Sequence, residues 1–124
     1  MPKIDNSQPA GFDIPGVRFT PIASPSRGSS ETGVWRARVE PGHEGVRHHM
    51  TREEIIVAVG GEGFVRTERG SEALKPGDAY AVPAFTEFEL VAAPDVAFEV
   101  MVVLPVGGRA VVGSEPPFVP PWSA

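Results

Sequence analysis

All three histidines of the chain, His43, His48 and His49, fall within one seven-residue window, and two adjacent carboxylates, Glu53 and Glu54, follow soon after. A neutral imidazole binds metal ions and titrates near neutrality. A carboxylate near it, Glu54 above all, can ligate a divalent cation, or act as a general base whose pKa an apolar surrounding raises. The cluster therefore supports metal ligation or proton transfer, with His48 and Glu54 as the candidate catalytic pair. Met50 stands between them, and its thioether is either a soft ligand that favours Cu(I) or adaptable core filling. With no cysteine in the chain, thiolate sites and disulfides are excluded, and a metal would draw on His and carboxylate donors.

Groups of this kind work only if something rigid holds them. Ile55, Ile56, Val57, Ala58 and Val59 follow Glu54 directly and end in Gly60 and Gly61. A β-branched run closed by glycines reads as a buried strand, so Glu54 stands where a strand begins. Side chains alternate across a strand. If the preceding segment is extended, His48 and Met50 point inward and His49 points out beside Arg47. A bulge at His48–His49 would reverse this and aim His49 and Glu53 inward.

The rest of the chain reads the same way. Trp35, Ala37 and Val39 alternate with Arg36 and Arg38, the period of a half-buried strand. Further strands are expected over 17–22, 55–59, 64–67, 79–82, 88–91, 97–104 and 110–112. The 14 glycines and 14 prolines make up more than a fifth of the 124 residues and lie between these short apolar runs, which points to turns rather than helices. Little or no helix is expected. The fold class is all-β, a sandwich or closed barrel in one domain. Residues 1–30 form an N-terminal arm and first strand, 31–106 the barrel, and 107–124 a proline-rich tail that packs on the barrel or on a partner subunit. The arm proper, 1–15, is either mobile or laid across a neighbour.

A net charge of −5 argues against nucleic acid, which needs a basic face. No apolar run approaches the roughly 18 to 20 residues of a membrane span, and no leader is evident, so the expectation is a cytoplasmic protein without a membrane partner.

Two motifs add a resemblance. Gly42, His48, Met50, Glu54 and Gly61 have the spacing of the first motif of the cupin family, and Gly77-Asp78 with Pro83 resembles the start of the second. The likeness covers roughly residues 35–105. It implies a double-stranded β-helix, or jelly-roll barrel, often dimeric. In cupins the first motif carries two histidines and a glutamate and the second motif one further histidine, together holding a divalent metal such as Zn, Fe, Mn or Ni. Here His48 and Glu54 match, whereas Met50 and Phe88 stand at the other two histidine positions, and Phe85 stands at a position usually glycine. A metal would need His43, His49 or Met50 to complete the set. Without one, Met50, Tyr80, Phe85 and Phe88 would wall a pocket for a small organic ligand. Three functions stay open: a small acid–base or metal-assisted enzyme, a metal-free binding or sensor module, and a structural homodimer.

Overall fold

The structure is a computed structural model and describes residues 3–124. Among the described residues eleven strands follow one another: β1 Phe12–Ile14, β2 Val17–Ala23, β3 Thr32–Val39, β4 His49–Met50, β5 Glu54–Gly61 and β6 Gly63–Thr67. They continue with β7 Gly70–Leu74, β8 Ala79–Val82, β9 Phe88–Ala92, β10 Phe98–Pro105 and β11 Ala110–Val111. The only helical pieces among the described residues are single 3-10 turns at Pro25–Arg27 and Pro121–Ser123. None is long and apolar enough to cross a membrane.

One layer is a six-stranded antiparallel sheet in the order β1-β2-β3-β10-β5-β8. Facing it are β7-β6-β9 and β11-β4. These two pieces are joined where Glu44 bridges to Val91 and His48 to Phe88, so residues 44–50 run between β9 and β11. The period-two pattern sets what each layer buries. Trp35, Ala37 and Val39 on β3, Val100 and Val102 on β10, and Ile56 and Ala58 on β5 are each at most 3% exposed. Their partners in the opposite layer include Val65, Phe88 and Met50. The result is a jelly roll, as the resemblance implies.

Two strands were not expected. β1 lies within the arm and pairs with β2, Ile14 opposite Val17, across a Pro15-Gly16 turn whose glycine has φ +76°. The described part of the arm thus lies on its own barrel, tied further by Asn6 and Arg27, whose side chains hydrogen-bond each other at 3.0 Å. β7 is nearly all exposed and is held by its pairing with β6.

The tail also returns to the barrel. Phe118 exchanges two backbone hydrogen bonds with Ala110 at 2.8 and 3.0 Å. Trp122 then stacks parallel on Phe19 of β2, ring centroids 3.7 Å apart. Residues 115–124 therefore form a strap that closes one side of the space between the layers.

Candidate functional site

A partly open cavity of about 180 Å³ lies between the layers. Glu54, His48, Met50 and Phe88 all line it.

Glu54 opens β5, with Val82 opposite it on β8 and Ile56 next on the same face. It is 4% exposed, while its neighbour Glu53 is exposed. No hydrogen bond or ion pair engages the Glu54 carboxyl among the described residues. Burial alone lifts its pKa from an ordinary 4.5 to about 8, because a low-dielectric surrounding disfavours the charged form. At neutral pH the cavity holds a carboxylic acid rather than a carboxylate.

His48 is fixed from three sides. Its backbone exchanges hydrogen bonds with Phe88 at 3.1 and 2.9 Å, and its ring lies 4.5 Å from the Phe88 ring. Its Nδ1 is 2.8 Å from the Val46 carbonyl oxygen. A carbonyl only accepts, so Nδ1 carries the proton and Nε2 keeps the lone pair. Burial lowers the pKa of His48, opposed in part by that hydrogen bond and by Glu87. Ion pairs stitch the segment from outside: Arg66 to Glu89 at 2.8 Å and to Glu44, and Arg47 to Glu89 at 3.8 Å. Met50 follows two residues on, paired with Ala110 and 2% exposed.

Other expected site residues lie elsewhere. His43 is exposed and its ring sits beside Gly16. His49 binds Glu87 through Nδ1 at 3.1 Å, on the outward side, so no bulge turns it inward. Tyr80 and Phe85 correct the expected pocket wall. Tyr80 is paired with Ile56 and packs on the core away from the cavity. Phe85 is 68% exposed, because its φ of +64° swings the side chain out beside His49, ring centroids 6.0 Å apart. The wall is completed instead by Phe19, Trp35, Phe118 and Trp122. Trp35 reads as core from its strand alone. Phe118 and Trp122 announce themselves only as apolar rings costly to leave in water.

The donor set does not fit a divalent-metal centre. His48 and Glu54 are joined only by the Met50 thioether, Phe88 cannot ligate, and no group of three or more His, Asp or Glu side chains converges among the described residues. Metal sites of the Zn, Fe, Mn or Ni type use three or more protein donors, which in a chain without cysteine must be nitrogen or oxygen.

Comparison with solved structures gives the class. The polyketide cyclase RemF from Streptomyces resistomycificus superposes with a TM-score of 0.77 at 18% identity, covering 93% of this chain and 88% of that one. A sugar phosphate isomerase of the cupin superfamily from Silicibacter pomeroyi gives 0.73 at 22%, covering 92% and 83%. KdgF from Halomonas sp. gives 0.64 at 24%, covering 81% and 90%. The chain has the fold of a small single-domain cupin. No protein-family profile matches its sequence, and no curated protein does.

Proposed function

We propose that this cupin binds a small organic molecule in its cavity and carries out acid–base chemistry on it, Glu54 acting as acid and His48 as base, without a divalent metal. The observation that carries this reading is an unpartnered carboxyl, buried to 4% exposure, in the same apolar cavity as a tautomer-fixed imidazole. Environments that push two pKa values apart assign the roles. The raised carboxyl keeps a proton to give, and the lowered imidazole keeps a lone pair to take one. This inverts the assignment in which Glu54 is the base.

Such a pair supports enolisation. Glu54 donates its proton to a carbonyl oxygen while His48 Nε2 removes a proton from the adjacent carbon, leaving an enol, an imidazolium and a carboxylate; return of both protons restores the site. Isomerisation and ring closure proceed through the same intermediate. The structural neighbours include a cyclase and an isomerase but also a salicylate 1,2-dioxygenase, so the fold does not choose the reaction.

Deuterium exchange at the α-carbon of cyclohexanone and 1-tetralone, followed by NMR in D2O, tests the proposal. Exchange above background that falls at least ~100-fold in Glu54→Gln is expected, the usual size of an acid–base contribution. Exchange unchanged in that variant refutes the role of Glu54. Binding of ketones without exchange would favour a binding or sensor module, a reading supported by Met50 and Phe88 at two histidine positions of the cupin motifs.

A further inference from the structure

Five aromatic rings line the cavity: Phe19, Trp35, Phe88, Phe118 and Trp122. The last two belong to the strap, so the segment outside the two sequence motifs supplies part of the wall. No lysine, arginine or aspartate lines it. The two titratable groups that do, Glu54 and His48, are both uncharged near neutrality. An ion entering this space would lose its water and meet no opposite charge, a cost that an uncharged molecule avoids.

The dimensions restrict the ligand further. An apolar cavity of about 150 Å³ takes up benzene, so one of about 180 Å³ suits a substituted single ring or two fused rings. Ring faces and edges also discriminate by geometry, since aromatic pairs gain beyond the area they bury. The strap already presents a ring at this wall: Trp122 lies parallel to Phe19, centroids 3.7 Å apart. Glu54 and His48 are the titratable groups of the lining, so they mark the end of the cavity where a ligand's hydrogen-bonding substituent sits.

We propose that the cavity is specific for an uncharged aromatic molecule of one ring or two fused rings, its single carbonyl or hydroxyl group turned toward Glu54 and His48 and its ring against Phe118 and Trp122. This rests on the small-molecule reading above and adds the class of ligand and the part of the strap in choosing it.

Calorimetric titration of the full chain at pH 7 with 2-naphthol, decahydro-2-naphthol and 2-naphthyl phosphate is the test. The naphthol binds; its saturated counterpart binds about 10-fold more weakly, and the phosphate at least ~100-fold more weakly. Phe118 is 42% exposed, so Phe118→Leu spares the fold. It weakens naphthol by about 3- to 10-fold and leaves the saturated alcohol unchanged. The proposal is overturned if the saturated alcohol binds as tightly as naphthol, if the phosphate does, if none of the three binds, or if Phe118→Leu weakens both alcohols alike. Cyclohexanone exchange that depends on Glu54 would leave the acid–base reading standing after any of these results.

Discussion

Replacing Glu54 by glutamine keeps the shape of the side chain and removes its ionisation. In the folded chain the carboxyl titrates at about 8, and in the unfolded chain near its ordinary 4.5. Below both values the two states hold the proton equally, and the group adds no cost to folding. As pH rises past 4.5, the unfolded chain releases the proton while the folded chain retains it, so stability falls until the folded carboxyl also ionises near 8. At about 1.4 kcal/mol per pH unit, linkage puts the full loss at about 4 to 5 kcal/mol and the loss at pH 7 at about 3 kcal/mol. That is a large part of the ~5–15 kcal/mol typical of a domain. Glutamine has no proton to release, so Glu54→Gln matches the parent at pH 4.5 and exceeds its stability by about 3 kcal/mol at pH 7. Urea unfolding followed by tryptophan fluorescence from pH 4.5 to 8.5, on both proteins, reads the difference directly. His48, whose pKa is lowered, loses stability in the opposite direction, as pH falls below about 6.5; it is common to both proteins and drops out of the difference. A difference independent of pH refutes the raised pKa of Glu54. A variant less stable than the parent at pH 7 refutes a carboxyl whose ionisation burial makes costly.

The same two groups shape activity against pH: exchange is highest near neutrality, declines above about 8 as Glu54 ionises, and declines in acid as His48 takes up a proton, which a rate profile checks. Excess EDTA, and added Zn, Fe, Mn or Ni, leave the melting temperature unchanged to within about 1 °C, whereas a bound ion would raise it with concentration. Trp122→Ala removes the stack on Phe19 and frees the strap, lowering stability by about 2 kcal/mol in denaturant, toward the low end for a large side chain because Trp122 is half-buried. Phe85→Gly relieves a left-handed residue that is 68% exposed and raises stability by about 1 kcal/mol in the same assay.

Sequence reached the fold where local pattern decides it. β8 spans Ala79–Val82, the residues its composition selects, and the alternation at His48 and Met50 places both at the cavity. β7 escaped because Gly70, Ser71, Glu72 and Ala73 have poor strand propensity and form a strand only through β6. β1 is just three residues long, although the Pro15-Gly16 pair is a turn signal in its own right. Phe85 was misplaced because its backbone, not its chemistry, sets its direction. The aromatic wall was the least legible part. Phe19 and Trp122 meet across nearly the whole chain, and no local period records such a contact.

The place of β10 in the larger sheet bears on how the protein folds. It pairs with β3 on one side and β5 on the other, joining segments brought together from far along the chain. Neither β3 nor β5 can complete its hydrogen bonding before this late strand inserts, and each long loop must close before any contact rewards it. Refolding should accordingly take milliseconds to seconds, as in other β proteins of non-local pairing, and mutations along β10 should slow it. Until β10 inserts, the chain carries two apolar strand edges open to other chains, so the interval before insertion is when it is most prone to aggregate.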